Sequence, residues 1–486
     1  MALDLRPLFE PKGVVITGVS AHPGKFGFVA FHNILACGYT GPVFAVGREE
    51  GTVLDRPVLA SVDAVPDGAA ELLVLCTPVA ANTEIVRSAA ARGVRAVFCA
   101  AGGYSEAGPD GAEAENQLVA LANELGIVLA GPNGQGVVST PVGLCAQIVA
   151  PFPTAGRIAV VSQSGNFVSS FLNYANQTGV GISRAVSAGN AAAIGVADYL
   201  EWFADDPETE VALCYLEGLA DGRGFFERVR EVTRRMPVVV VKGGTTVGGQ
   251  RAAASHTGSL ANDDQIFDGM ARQAGLVRAA NIESAFEAAA TFATQPLPAG
   301  NRIVVLSTAG GWGVVTADAV TAHRDLDLTP LPTDLMATID ELVPPRWSRN
   351  NPVDLAGGET RDTIPAVLEA TVAHPAVDVV IQLGLGIQGN TAALTRGGPF
   401  HPDHGLGRIV DFHEHQERRY AEAADSASHS HDKPVLVASE LAVARPDNPL
   451  VQAVRESGRL CYPSADRAVV ALGHLVRYAD WRRRRP

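Results

Sequence analysis

VVITGVSAHPGKFG, residues 14–27, is a short β-branched run that ends in small residues and glycine and then gives way to a helical pattern. The same grammar returns as IAVVSQSGNFVSS from Ile158 and as IVVLSTAGGWGVV from Ile303. The returns are about one domain length apart, which predicts three strand–turn–helix openings, each starting an α/β domain. Between them lie further apolar runs: ELLVLCTP, AVFCAAGG and GIVLAGPNG, then VALCYLEG and PVVVVKGG, then VDVVIQLGLG and PVLVASEL. Such runs lack polar alternation, as expected of parallel strands covered on both faces. Pro-rich joints at 150–153 and 295–300 divide the chain into expected domains 1–150, 151–298 and 299–486.

Composition agrees with several packed domains. A chain of 486 residues exceeds one ordinary core, and 47% hydrophobic against 19% charged residues excludes a disordered chain. The net charge of −14 repels nucleic acid and anionic lipid, so a phosphorylated ligand needs a local site, and neither partner is expected. Cys37, Cys76, Cys99, Cys145, Cys214 and Cys461 show no CxxC spacing and read as free thiols. With no apolar N-terminal leader or membrane-length run, the expected location is the cytoplasm.

The first opening offers backbone N–H groups, a hydroxyl and an ammonium at Gly18, Ser20, Gly24, Lys25 and Gly27 to a phosphate at a helix start. Walker A would need Ser or Thr after Gly24-Lys25, where Phe26 stands, and the Gly-x-Gly-x-x-Gly fingerprint is absent. The next strand, PVFAVGREE, ends in Arg48 where an NAD site would place an acid, which suits a phosphorylated ribose as in NADP or CoA. Read alone, this turn is equally consistent with a ligand-free structural turn. Gln163, Ser164 and Gly165 in the second opening, and Gly310 and Gly311 in the third, stand at expected helix N-termini carrying about half a unit of positive charge. Two such ends could stabilise a doubly charged phosphoryl group; each alone could be plain N-capping.

After PVVVVKGG, the stretch TTVGGQRAAASHTGSLA surrounds His256 with small polar residues. A neutral imidazole there is a nucleophile towards phosphorus if a partner holds its other nitrogen, and Glu217 at the end of VALCYLEG is the candidate. By composition alone, a surface-loop histidine remains the default reading of His256, and Glu217 reads as a strand-end carboxylate facing water. The stretch 389–432 reads as an insertion, with a Gly/His-rich loop, a charged helix around DFHEHQERRYAEAADSA and then SHSH. Its pairs His413/His415 and His429/His431 are spaced to fall on different sides of a helix, so no metal site is expected.

Taken together, the run from Gly249 through SHTGSLA (255–261), with GVSAHPGKFG (18–27), VSQSGN (161–166), SAGN (187–190), YLEG (215–218), TAGGWGV (308–314) and NPVDL (351–355), resembles the NDP-forming acyl-CoA synthetases. These ADP-forming acetate–CoA ligases are relatives of succinyl-CoA synthetase. The resemblance implies a Rossmann-like CoA-binding domain followed by two flavodoxin-like ligase domains. It further implies coenzyme A held by Gly18, Ser20, Lys25, Arg48, Thr77 and Pro78, a phosphoryl group carried on His256 with Glu217 in support, and phosphate facing the helices at Gln163–Gly165 and Gly310–Gly311. ADP or ATP with Mg2+ would sit on a separate ATP-grasp β-type subunit, because the chain has no room for that module. Acyl-CoA, carboxylate and phosphate are the implied small-molecule substrates.

Two departures from the family pattern stand out. Relatives usually read GPNC or GPNT in the acyl-phosphate pocket, whereas Asn133 is followed here by Gly134 and Gln135. The lost side chain points to an enlarged pocket or a missing polar contact, and to an acyl group larger than acetate. Trp312 stands where Pro is expected and would narrow the approach to the phosphohistidine. A non-catalytic CoA-binding sensor or scaffold of the same fold would have no use for His256 and Glu217 together. An NADP-dependent dehydrogenase would need a cleaner glycine fingerprint.

Overall fold

The computed structural model describes residues 3–49, 51–149, 151–219, 221–251, 264–356 and 362–484. His256 and its neighbours in SHTGSLA lie outside the described residues. The chain divides into two compact units, one of Met1–Gln177 with Gly181–Ala285, the other of Phe286–Pro486 with Thr178–Val180.

The first unit holds two sheets. In the first, β1 (Val14–Thr17), β2 (Val43–Val46), β3 (Gly51–Val53), β4 (Arg56–Leu59), β5 (Leu72–Leu75), β6 (Ala96–Cys99) and β7 (Val128–Ala130) run in the order β3-β4-β2-β1-β5-β6-β7. Only the β3–β4 pairing is antiparallel. Without that edge strand the order is the Rossmann one, whose switch point lies beside the first strand. Every residue of β1, β5 and β6 is buried, as their unbroken apolar sequence predicts.

In the second sheet, β8 (Gly136–Ser139), β9 (Leu144–Gln147), β10 (Ala155–Ser162), β11 (Ile182–Ser187), β12 (Val211–Leu216), β13 (Val238–Lys242) and β14 (Val277–Arg278) follow the order β14-β13-β12-β10-β11-β8-β9. The parallel part, β11-β10-β12-β13-β14, is flavodoxin-like, and the β8–β9 hairpin joins its edge antiparallel to β11. This hairpin precedes the Pro-rich joint at 150–153 where the sequence expects the boundary. The second sheet therefore begins at Gly136, within the segment expected to belong to the first domain.

The hairpin and the N-terminal segment also bind the two sheets into one unit. Asn33, on the helix Phe26–Ala36, donates to the carbonyl of Gln147 (2.8 Å). Phe9 stacks on Trp202, with ring centroids 5.0 Å apart. The fully buried Arg184 of β11 bonds Asp206 (3.0 Å), Ser139 and Glu10.

In the second unit, β15 (Arg302–Ser307), β16 (Asp327–Leu328), β17 (Val353–Asp354), β18 (Val379–Leu383), β19 (Val435–Ala438) and β20 (Cys461–Tyr462) run β16-β15-β18-β19-β20, with β17 also paired to β15. This is again the flavodoxin-like order, and the α/β class expected from the sequence holds in all three sheets. Each opening read from the sequence supplies an inner strand of its sheet, the first of the parallel part: β1, β10 and β15.

The stretch 389–432 holds the charged helix expected there, which is longer than the sequence suggests and buried along one face. It completes the helix Ile387–Arg396 and forms the helix Leu406–His431, which leads from β18 to β19 and buries Val410, Gln416, Glu417, Tyr420, Ala421 and Ala424. Its charged composition hid one apolar stripe at helical spacing, so the outer face dominated the reading. Glu417 is buried and accepts N–H bonds from Gly386 (2.8 Å), Gln388 (2.9 Å) and Gly389 (3.3 Å), which caps the preceding helix. Burial holds its carboxyl above the usual range despite those bonds. His431 pairs with Glu369 (2.6 Å) and His429 with Asp425 (3.3 Å).

All six cysteines are free. Among the described residues no helix is long and apolar enough to cross a membrane, and no three His, Cys, Asp or Glu side chains are grouped to hold a metal ion.

His474, on the helix Ala465–Arg483, is buried with Nδ1 unpartnered, and burial lowers its pKa to about 4, with Arg477 and His323 adding to the effect. The folded state thus binds this proton less readily than the unfolded chain does. The contribution to stability is complete above about pH 6.5 and is lost as pH falls through 4; it amounts to about 3 kcal/mol. His474→Gln should flatten the acid limb of stability by about that amount, as read from denaturant midpoints at pH 7 and pH 4.5.

Candidate active site

At the carboxyl ends of β1, β2 and β5 the first sheet opens a cavity of about 1010 Å³. Gly18, Ser20, Lys25, Arg48, Thr77 and Pro78, scattered over sixty positions of sequence, all line it. Gly18 is needed there, because its φ is +74° and a Cβ would stand 2.4 Å from the carbonyl oxygen of Cys76. The helices Phe26–Ala36 and Val79–Ala91 begin at the cavity, with Lys25 and Pro78 as their N-caps, so two positive helix ends and two cationic side chains surround one space. Thr77 Oγ1 and the Tyr104 hydroxyl each lie 2.7 Å from the Asn82 carboxamide, which best donates to Thr77 and accepts from Tyr104. Glu49, Asp63 and Glu84 also line the cavity.

The second site forms at the switch point of the second sheet, where β10 and β12 end side by side. Buried Ser162 closes β10: its hydroxyl donates to the carbonyl of Ser164 (2.6 Å) and accepts from the N–H of Ser164 (3.1 Å), and the helix Gly165–Thr178 starts at once. Ser164 and Gly165 thus stand at a helix N-terminus, as the sequence predicts. Gln163 behaves differently. Its Oε1 accepts from the N–H groups of Glu217 (2.6 Å) and Gly218 (3.3 Å), its Nε2 donates to the carbonyl of Gly218 (3.2 Å), and its own N–H donates to the carbonyl of Tyr215 (3.2 Å). The side chain expected to face phosphate is spent on the strand end that carries Glu217.

Glu217 is buried, 7% exposed. Burial first, and the nearby Glu217 carboxylate second, push the Tyr215 phenol up to about 12. Sequence reasoning missed Lys242, the last residue of β13. It is buried, and its Nζ donates to the carbonyls of Glu217 (3.1 Å) and Gly243 (2.6 Å). A lysine ending an all-valine strand was the available signal, and the apolar run obscured it. Burial lowers its pKa.

Asn133, Gly134 and Gln135 lie where the two sheets of the first unit interlock. The carbonyl of Pro132 accepts from the N–H of Asn190 (2.9 Å), and Asn133 Nδ2 donates to Asn190 Oδ1 (3.3 Å). The Asn190 carboxamide in turn donates to Glu106 (2.6 Å) and Glu115 (2.8 Å). Burial pushes Glu106 up, but the bonds from Asn190 and from the Gly103 N–H hold it below the usual carboxylate range.

The backbone at Gly134 is closely packed. A Cβ there would meet Phe98 Cζ and the carbonyl oxygen of Ser187, both at 2.6 Å, so neighbours fill the space of the side chain the family pattern would place there. Gln135 lies instead across the first glycine of the helix Gly165–Thr178. A Cβ on Gly165 would be 2.3 Å from its Cγ, Nε2 donates to Asn166 Oδ1 (3.1 Å), and Oε1 is buried without a partner.

The second unit repeats the device of Ser162. Ser307 closes β15, donates to the carbonyl of Ala309 (2.8 Å) and accepts from its N–H (3.0 Å), and the helix Gly310–Ala322 follows. Here Asp354 takes the place that Gln135 has in the first unit: its Oδ2 would lie 2.5 Å from a Cβ on Gly310, while the position at Gly311 is open. Trp312, in the first turn, is 38% exposed.

Three families match the chain in order: the CoA binding domain over residues 12–140, the succinyl-CoA ligase like flavodoxin domain over 155–292 and the ligase-CoA domain over 303–388. The alpha subunit of acetate–CoA ligase (ADP-forming) I from Pyrococcus furiosus is 32% identical over 484 residues, covering 99% of both chains. The alpha subunit of the second such ligase of that organism is 32% identical, over 77% of this chain and 81% of its own. Among solved structures, dinucleotide forming acetyl-coenzyme A synthetase 1 of Ca. Korarchaeum cryptofilum, in complex with phosphate and ADP, superposes with a TM-score of 0.83 at 29% identity, covering 99% of this chain and 98% of that one. With a relative matched from end to end at this identity, the chain belongs to the family of ADP-forming acetate–CoA ligase alpha subunits.

Proposed function

We propose that the chain is the α-type subunit of a reversible NDP-forming acyl-CoA synthetase in which His256 carries the phosphoryl group. A phosphate oxygen attacks the thioester carbonyl, the C–S bond breaks, and CoA leaves as a thiolate that takes up a proton. The imidazole of His256 then attacks phosphorus and the carboxylate leaves. ADP on an ATP-grasp β-type subunit, with Mg2+ bound there, accepts the phosphoryl group from phosphohistidine and becomes ATP. The observation that carries this reading is the buried Glu217 at the switch point, its backbone held by Gln163 and Lys242, one strand away from the segment that leads to His256.

CoA fits the cavity of the first sheet. Lys25, Arg48 and the two helix N-termini suit its phosphates, and Glu49, Asp63 and Glu84 suit ribose and amine donors. Asn133, Gly134 and Gln135 would border the acyl end, and the helix ends at Ser164–Gly165 and Gly310–Gly311 would serve phosphate.

Incubation with acyl-CoA and labelled phosphate should leave an acid-labile, base-stable label on the chain, and the label should discharge when ADP, Mg2+ and an ATP-grasp subunit are added. Absence of label across a panel of acyl-CoA thioesters would sink the proposal. At the CoA cavity, Gly18→Ala should cost about 1–3 kcal/mol through its positive φ and the clash with Cys76, and should weaken CoA binding at least tenfold, measured by calorimetric titration.

A further inference from the structure

β12 is flanked in the sheet by β10 and β13, and a side chain from the end of each reaches across to the backbone just beyond it. We propose that Gln163 and Lys242 are a positioning pair that fixes the Glu217 carboxylate for phosphoryl transfer, an inference that rests on the ligase reading above. The N–H groups of Glu217 and Gly218 both donate to Gln163 Oε1 (2.6 and 3.3 Å). The carbonyl of Gly218 accepts from Gln163 Nε2 (3.2 Å), and that of Glu217 accepts from Lys242 Nζ (3.1 Å). All four polar backbone groups of the dipeptide are therefore bonded to two side chains. A strand end commonly leaves such groups to water or to a turn of its own.

The choice of a lysine is the telling feature. Lys242 is 6% exposed and sits above the Phe267 ring, 5.9 Å from its centroid. A buried ammonium is a costly way to satisfy one carbonyl, since its desolvation must be offset. Its second bond, to the carbonyl of Gly243 (2.6 Å), gives the residue a further task. It joins the strand end that carries Glu217 to the first residue after β13, where the segment that leads to His256 begins. A carboxylate that must hold one imidazole nitrogen while the other reacts has to be placed to a fraction of an ångström, and misplacement by about 1 Å costs on the order of 100-fold in rate.

The test uses Lys242→Met and Gln163→Ala singly, each in the wild-type and in the Glu217→Gln background. Three readouts are followed: the rate of acid-labile labelling from acyl-CoA and phosphate, CoA affinity, and amide exchange at Glu217 and Gly218. In the wild-type background each variant should slow labelling about 10–100-fold while CoA affinity stays within about twofold. In the Glu217→Gln background each should add less than about threefold, because a residue that acts through a carboxylate loses its effect when the carboxylate is gone. Exchange of the two amides should accelerate at least about tenfold in the Gln163 variant.

Equal slowing in both backgrounds, or unchanged labelling with accelerated exchange, overturns the positioning role. Wild-type protein whose two amides are protected yet which never takes up label overturns the ligase reading instead. Should Lys242→Met fail to fold, Gln163→Ala carries the same test from the other side of β12.

Discussion

Replacing His256 by alanine is expected to abolish the acid-labile label and to lower acyl-CoA synthesis with the partner subunit by about 10⁴-fold or more. The reason lies in the order of bonds broken. Release of CoA requires only phosphate and the thioester, so the variant should still release CoA thiol from acyl-CoA and phosphate in a first turnover. The acyl phosphate then finds no nitrogen nucleophile, and no phosphoryl group reaches ADP. Rapid-quench measurement of free thiol beside bound phosphate separates the two steps. Equal labelling of the variant and the wild type would mean that the carrier is another residue.

Glu217→Gln is the second large effect. The substitution keeps shape and leaves the backbone bonds to Gln163 and Lys242 in place, but removes the charge that would favour an imidazole bearing a developing positive charge. Phosphohistidine formation should slow by about 10²- to 10⁴-fold with CoA affinity unchanged, since the cavity proposed for CoA belongs to the other sheet of the unit. A second readout is independent of turnover. The Tyr215 phenol, pushed up to about 12 by burial and by Glu217, should titrate lower in the variant, seen as a difference in phenolate absorbance. A variant that labels at the wild-type rate would remove Glu217 from the mechanism.

The two units use one solution twice. A buried serine ends the central strand, folds its hydroxyl onto the residue two positions on, and lets a helix begin at a glycine over which a polar side chain lies. That side chain is neutral in the first unit, Gln135, and acidic in the second, Asp354. A carboxylate at a helix N-terminus is itself stabilised there, so the second site starts with a group of the same sign as phosphate. The difference was not readable from SQSG and TAGG, because both overlying side chains come from distant segments.

The sequence by itself determined the α/β class, the three openings that become β1, β10 and β15, and the residues that gather around the cavity of the first sheet. Those features rest on local physics: apolar runs long enough for a buried strand, glycines where the backbone must turn, and small residues at helix starts. What only the tertiary structure decided depends on contacts between segments far apart in the chain. It gave the 136–147 hairpin to the second sheet, buried one face of the charged helix within 389–432, filled the space at Gly134 with Phe98, and spent the Gln163 carboxamide on the backbone of Glu217. A motif says where a polar side chain starts; which unpaired backbone groups lie within its reach is settled by which strands become neighbours.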